Sequence, residues 1–299
     1  MSGHAFSSHV LELVRESSPM QNTDKAKHAP AHQVSGTLTA DLNYIQPDAV
    51  IAPEVIYSGG AAPQAYNEAY RFMPAEIVDA RETAETFTIH EQGFELVTAP
   101  TRNTNFDDDD VIKGLYYDEV ADIVRKTTGA KAVVVFDHTV RRGHKQSVRK
   151  PAHHVHNDYT ANTGMTRAEE MMGAEAFAKM KGRRMIQINV WRALNPIVRR
   201  SPLAFCDAAS IKPDDLIPTK IHFTDNDFIG EIFALRKAAG QKWYYFSEMV
   251  HEEAVLIKGY DTEQEGVARF TPHTAFEYPD QDPAIPPRES IETRTFAFY

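Results

Sequence analysis

His153-His154-Val155-His156-Asn157-Asp158-Tyr159 carries a His-x-Asp pair among apolar and aromatic neighbours. On an extended strand successive side chains alternate faces, so residues two apart point the same way. His156 and Asp158 then offer one imidazole and one carboxylate to a common centre. A second imidazole from elsewhere in the chain would complete a two-histidine, one-carboxylate face. Such a face holds ferrous iron on three adjacent positions and leaves the others open. Taken alone, the pair is also what any strand or turn with two polar residues shows, so its meaning depends on a third ligand.

Three histidines follow Asp158: His222, His251 and His273. His222 alternates with Ile221 and Phe223 and reads as a strand residue facing the other way. His251 lies in the acidic stretch Glu248-Met249-Val250-His251-Glu252-Glu253, which reads as a solvated loop before a strand. His273 sits in Phe270-Thr271-Pro272-His273-Thr274-Ala275-Phe276, between aromatic residues and at a strand end, and is the preferred third ligand. Arg288-Glu289-Ser290 follows after one further loop. Arginine clamps a carboxylate through two parallel hydrogen bonds, and a serine two residues away on a strand adds a third from the same face. This is what the distal carboxylate of 2-oxoglutarate requires.

The rest of the chain sets the context. Its 299 residues suit one large domain or two modest ones. Hydrophobic content of 42% and charged content of 25% are those of a globular protein. No run approaches the roughly eighteen apolar residues of a membrane span. Met1-Ser2-Gly3-His4-Ala5-Phe6 lacks a basic head with an apolar stretch, which predicts no secretory signal. Cys206 is the only cysteine, so no intrachain disulfide can form, and a cytoplasmic setting is expected. A formal charge of −10 opposes a nucleic-acid role. The basic clusters Arg141-Arg142-Gly143-His144-Lys145 and Lys179 to Arg184 read as solvated surface. Asp107 to Asp110 read as acidic residues at a helix N-terminus.

Residues 1–32 are polar and weakly periodic and read as an N-terminal arm or helix; residues 33–299 read as a single domain. Helices are expected over Ala65 to Arg71, over Asp110 to Thr128 with Gly129 as stop, and over Thr166 to Gly182 with Thr166 and Glu169 as a capping box. Phe87 to His90 and Phe94 to Val97 read as a hairpin about Glu91-Gln92-Gly93. Lys131 to Phe136 reads as a buried strand. Further strands are expected at Met185 to Trp191, Leu203 to Asp207, Ile221 to Phe223, Trp243 to Phe246, Ala254 to Lys258, Ala268 to Phe270 and Thr293 to Tyr299. Helices mixed with strands, followed by short strands alone, predict an antiparallel sandwich or jelly roll with helices on one side.

Several motifs in fixed order carry a family likeness. They are Phe136-Asp137-His138-Thr139-Val140-Arg141, His154 to Thr160, Asn189-Val190-Trp191-Arg192, Pro202 to Asp207, Trp243 to Phe246, Lys258-Gly259-Tyr260-Asp261, Arg269 to Phe276 and Pro287 to Glu292. In these the chain resembles the iron(II)/2-oxoglutarate-dependent dioxygenases. More narrowly, it is similar to the gibberellin-desaturase-like group, which includes the cephalosporin 7α-methoxylation component and fungal hydroxylase/desaturases of secondary metabolism. The likeness runs from about residue 40 to the C-terminus. One local departure is Val250-His251-Glu252, where relatives tend to have a Pro-Asp turn.

The resemblance implies a mainly β fold with flanking helices, built on a double-stranded β-helix (jelly roll, cupin-like). It implies iron(II) on His156, Asp158 and His273, and 2-oxoglutarate as co-substrate on Arg288 and Ser290. It makes Asn189, Trp191 and Arg192 candidates for the co-substrate or substrate pocket. The residues themselves also allow a half-buried strand with Trp191 in the core and Arg192 at the surface. Tyr159, His138 and Arg141 are weaker substrate candidates: Tyr159 also reads as core, His138 as a satisfied structural histidine and Arg141 as a solvated turn. The implied partners are a small-molecule substrate and O2, with a homo-oligomer left open. The implied reaction hydroxylates, desaturates or cyclises a small specialised metabolite or amino-acid-derived acid, with release of succinate and CO2. Two other classes stand beside it: a jelly-roll metalloenzyme that does not use 2-oxoglutarate, and a non-catalytic accessory protein of a biosynthetic pathway.

Overall fold

Short runs of β-branched and aromatic residues between turn formers give the chain its strands. A computed structural model describes residues 36–49, 55–56, 68–142, 154–223 and 228–299. The arm expected over residues 1–32 lies outside these, as does the side chain of His222. In chain order the strands are β1 (Thr37–Ile45), β2 (Val55–Ile56), β3 (Tyr70–Asp79), β4 (Phe94–Thr98), β5 (Ala132–Arg141), β6 (His156–Asn157) and β7 (Met185–Ala193). They continue as β8 (Leu203–Cys206), β9 (Leu216–Phe223), β10 (Phe228–Leu235), β11 (Trp243–Tyr245), β12 (Glu253–Asp261), β13 (His273–Ala275) and β14 (Ser290–Phe298).

Two sheets result. One has nine strands in the order β1-β3-β11-β8-β13-β6-β10-β9-β2; the other has five, β4-β12-β7-β14-β5. Pairing is antiparallel except for β11 on β3 and β2 on β9. Phe205 and Tyr244 of the larger sheet pack against Phe94, Trp191, Val255 and Ile257 of the smaller one. This is a jelly roll, as expected from the strand pattern.

The smaller sheet is covered on its outer face by helix α1. That helix opens with one turn over Asp109–Val111, widens to π-type hydrogen bonding over Ile112–Tyr116 and continues as α over Tyr117–Thr128. Asp108 caps it by accepting from the N–H groups of Asp110 and Val111. Gly129 ends it in the left-handed region at φ 73°. Ile112, Val120 and Val124 of α1 bury against Ile186, Ile188 and Val190 of β7. Each such side chain contributes about 1.5–3 kcal/mol. The intervening residues of β7, Gln187, Asn189 and Trp191, therefore face the interior between the sheets.

Several expectations are corrected. Tyr70 and Arg71 begin a strand, so the helix expected through Arg71 does not reach there. Phe87 to His90 form no strand; the carbonyl of Thr88 accepts from the N–H groups of Gln92 and Gly93, and β4 pairs with β12 instead. The helix expected over Thr166 to Gly182 is two helices, α2 (Thr163–Met172) and α3 (Ala174–Met180), broken where Gly173 adopts φ 80°. Thr166 lies inside α2, its hydroxyl bonded to the Asn162 carbonyl at 3.1 Å, and caps nothing. Ala268 to Phe270 run as irregular chain, and the strand starts at His273. The valine run Val133 to Val135 lies on β5, an edge strand of the smaller sheet.

Gly93 holds the loop that leads into β13. Its carbonyl accepts from the Thr271 hydroxyl at 3.1 Å and from the Lys258 N–H at 2.8 Å. A Cβ at Gly93, where φ is +89°, would sit 2.0 Å from Thr271 Oγ1, whereas a Cβ at Gly129 meets nothing within 4 Å. Gly129→Ala carries only the cost of the left-handed backbone, about 1 kcal/mol. Gly93→Ala adds the displacement of Thr271 and is expected to cost at least about 2 kcal/mol more, read as the shift in urea midpoint between the two variants. Equal midpoints for the two would contradict the packing described.

Candidate metal centre

The short strand β6 places His156 in the larger sheet, and β13 lies next to it. The two strands meet through one residue pair, His156 opposite His273, so the imidazoles are cross-strand neighbours. Their ring centroids are 4.7 Å apart. Asp158 follows β6 directly, and its Oδ1 lies 3.6 Å from His156 Nε2. One ligand atom from each of His156, Asp158 and His273 lies within 4.8 Å of the others.

Both imidazoles are oriented from behind. His156 Nδ1 lies 2.8 Å from the His154 carbonyl, and His273 Nδ1 lies 3.0 Å from the Thr271 carbonyl. With Nδ1 donating to a carbonyl, Nε2 is the free lone pair on each ring and points into the cluster. Burial, with His273 beside it, lowers the pKa of His156, which favours the neutral form that ligates metal. Burial pushes the Asp158 carboxyl up, but His156, Arg294 and His273 outweigh it and hold the acid at about 2.

Asn157, between the two ligands, points the opposite way and is fully buried. Its amide nitrogen donates to the carbonyls of Tyr159 at 2.7 Å and Gly259 at 2.8 Å, and its oxygen accepts from the Thr271 N–H at 2.9 Å. One side chain thus ties β6 to the loop that orients His273 and to β12 of the other sheet.

The inner face of the smaller sheet supplies a polar network that the sequence reading found only in part. Asn189 Nδ2 donates to Asp158 Oδ2 and, at 3.2 Å, to Glu292 Oε1. Gln187 Nε2 donates to Asn189 Oδ1 at 2.6 Å. Arg294 bonds Glu292 at 2.8 Å, Asp137 at 3.2 Å and Thr139 at 3.1 Å. The sequence assigns no site role to Gln187, Glu292, Arg294, Asp137 or Thr139, although Asp137, Thr139 and Glu292 lie in the motifs that carry the family likeness. The signal that could have found them is alternation: Glu292 and Arg294 share a face with Ser290, as Gln187 does with Asn189. The three carboxylates against one guanidinium leave a net negative charge that a divalent cation would offset. Two imidazoles and one carboxylate, with Nε2 and Oδ1 converging, fit ferrous iron.

Arg288 and Ser290 meet beside this network. Arg288 is buried, its Nη1 donates to the Ser201 carbonyl, and its guanidinium carbon lies 5.3 Å from the centre of the Trp191 ring. Arg288 Nε and Ser290 Oγ are buried and have no partner among the described residues. Burial, with Arg141 nearby, lowers the Arg288 guanidinium to about 9. Buried donors of this kind call for an acceptor, and a carboxylate bound at Arg288 and Ser290 would satisfy both.

Other candidates fall elsewhere. Arg192 lies on the outer face of β7, where it bonds the Tyr116 hydroxyl at 3.0 Å and the carbonyls of His251 and Ala99 at 2.6 Å each. It clamps α1 and two loops and does not reach the cluster. His138 also faces outward, held between Tyr117 at 2.9 Å and Asp109 at 3.0 Å. Tyr159 is buried in the cluster with Ala168, Met172 and Phe296. Arg141 is the cross-strand partner of Ser290 and so shares its face. His251, read as solvated, is instead half-buried, its Nδ1 2.8 Å from the Ala193 carbonyl. It takes no part in the cluster.

Residues 42–298 match the family model described as "Oxidoreductase/YMDC permease-like domain". The chain is 33% identical over 293 residues to the hydroxylase/desaturase efuI of Hormonema carpetanum, covering 89% of this chain and 96% of that protein. It is 30% identical over 268 residues to the Fe(II)/2-oxoglutarate-dependent dioxygenase nvfI of Aspergillus novofumigatus, covering 87% of this chain and 96% of that one. A solved structure of the iron and alpha-ketoglutarate-dependent endoperoxidase NvfI superposes with a TM-score of 0.77 at 28% identity, over 90% of this chain and 99% of the other. The cluster of two histidines and an aspartate, the jelly roll that carries it and these likenesses agree: the chain belongs to the family of Fe(II)/2-oxoglutarate-dependent dioxygenases and hydroxylase/desaturases.

Proposed function

We propose that His156, Asp158 and His273 hold the iron, that Arg288 and Ser290 bind the distal carboxylate of 2-oxoglutarate, and that the enzyme hydroxylates, desaturates or cyclises a small specialised metabolite or amino-acid-derived acid. The observation that carries this is the convergence of the three ligand atoms, from two strands far apart in sequence, within 4.8 Å. When bound, iron would let O2, the oxidant, be reduced by two electrons from 2-oxoglutarate, which leaves as succinate and CO2, and two from the substrate. The chain's own groups do the rest. The carbonyls of His154 and Thr271 aim the imidazoles, and the buried Arg288 and Ser290 fix the far end of the keto acid. The aromatic cluster about Trp191, Phe205 and Tyr244 keeps water from that end of the interior.

The reaction outcome follows from where the substrate places its carbon, not from the ligand set. Relatives bear the names hydroxylase/desaturase and endoperoxidase. Incubating the protein with a cell extract, Fe(II), ascorbate and 2-oxoglutarate, and following products by mass spectrometry, tests the class. Succinate formed only with iron and oxygen supports it; substrate turnover without succinate contradicts it.

His273→Ala is expected to lower iron-dependent succinate formation by more than about 100-fold. His251→Ala removes contacts with the Ala193 carbonyl and the Phe106 ring, neither of them in the cluster, and should keep most of the activity; the reverse ranking would reassign the third ligand.

The anchor makes a separate prediction in steady-state kinetics. Ser290→Ala loses one neutral donor, about 1 kcal/mol, and should raise the KM for 2-oxoglutarate roughly fivefold. Arg288→Leu removes the charge as well and should raise it by about 30-fold or more. An unchanged KM in both variants would place the co-substrate elsewhere.

A further inference from the structure

We infer that Asn189, backed by Glu292 and Arg294, is a positioning device that holds Asp158 as a one-oxygen ligand and so keeps a coordination position free for the co-substrate. The inference rests on the assignment of iron to His156, Asp158 and His273.

The two oxygens of Asp158 are in different surroundings. Oδ1 faces His156 Nε2 at 3.6 Å, within the ligand cluster. Oδ2 is taken by the amide nitrogen of Asn189. A carboxylate oxygen engaged by an amide donor is a weaker metal ligand than its free twin, so Asp158 offers the ion Oδ1 alone. Were both oxygens free, Asp158 could chelate, and the second oxygen would occupy a position that a bidentate keto acid needs.

The amide is held in the orientation this requires. Asn189 Oδ1 accepts from Gln187 Nε2 at 2.6 Å, and Nδ2 serves two carboxylates, Asp158 and Glu292. Turning the amide over would set its oxygen against both carboxylates. Glu292 cannot swing away, because Arg294 Nη2 holds the same Oε1 at 2.8 Å. Arg294 is fixed in turn through Nη1 by Asp137 and Thr139 on β5. The register makes this arrangement a property of the sheet: Arg294 lies opposite Asn189 on one side and Asp137 on the other, beside the irregularity between Arg294 and Thr295. A site on one sheet is thus oriented by three adjacent strands of the other.

The test is anaerobic titration of the Fe(II)-loaded protein with 2-oxoglutarate, followed by the visible charge-transfer absorption of the chelated keto acid, with Fe(II) affinity and thermal melting measured on the same samples. Asn189→Ala is expected to keep Fe(II) affinity within a few-fold but to weaken 2-oxoglutarate binding about tenfold or more. Glu292→Gln, which keeps the shape and still offers an oxygen to Asn189 but loses the charge that holds Arg294, should weaken it less. Arg294→Lys, which keeps a cation beside Glu292, should restore most of the affinity relative to Arg294→Ala. Wild-type co-substrate affinity in both Asn189→Ala and Glu292→Gln overturns the inference, as does a loss of Fe(II) affinity and melting temperature in proportion to it, which would mark a merely structural role. A wild-type protein that develops no band at all sinks the iron and co-substrate assignment itself, a result distinct from either of these.

Discussion

One cross-strand pair, His156 opposite His273, sets the site. β6 and β13 touch through that pair alone, so the ladder itself gives the two imidazoles little constraint. Asn157 supplies it. Its three hydrogen bonds reach Tyr159, Gly259 and Thr271, and Thr271 in turn offers the carbonyl that orients His273. A displacement of Thr271 is therefore transmitted to a ligand ring, and the close approach of Gly93 to the Thr271 hydroxyl belongs to the same mechanical unit. The alternation that turns His156 and Asp158 inward is what turns Asn157 toward its three partners.

The smaller sheet solves a different problem. Its outer face is an ordinary apolar core under α1. Its inner face carries Asn189, Glu292 and Arg294 next to the ligands, and Phe296 and Phe298 farther along β14. Burying ions costs several kcal/mol each unless they are paired and hydrogen-bonded. Here each charge has a partner: Asp158 with Asn189, Glu292 with Arg294, and Arg294 with Asp137. The pairing lets a charged surface persist inside a fold otherwise held by aromatic packing. Arg288 Nε and Ser290 Oγ differ: they are buried donors with no partner among the described residues, at the place proposed for the distal carboxylate of the co-substrate.

Much of the fold and of the candidate site was legible in the sequence because the candidate residues obey local rules. His156 and Asp158 are two apart on extended chain, and Arg288 and Ser290 repeat the spacing. The helix to Gly129 and most central strands announced themselves by periodicity. Other features depend on distant partners and could not be read locally. Arg192 and Asn189 lie on one strand three residues apart, so they face opposite ways, and only the position of α1 says which face is inside. His138 follows the same logic on β5. Phe87 to His90 has strand composition, but the backbone of Thr88 is spent on a turn with Gln92 and Gly93. Gly173 splits the helix expected over Thr166 to Gly182, because its positive φ cannot continue an α-helix.

The central claim is that two strands from distant parts of the chain close around one ferrous ion. Anomalous diffraction at the iron edge, from crystals grown without oxygen in Fe(II) and 2-oxoglutarate, tests it most directly. The account predicts a single peak shared by His156 Nε2, His273 Nε2 and Asp158 Oδ1, with the keto acid running from that peak to Arg288 and Ser290. A peak that leaves out any one of the three side chains, or a keto acid bound away from Arg288, would contradict it.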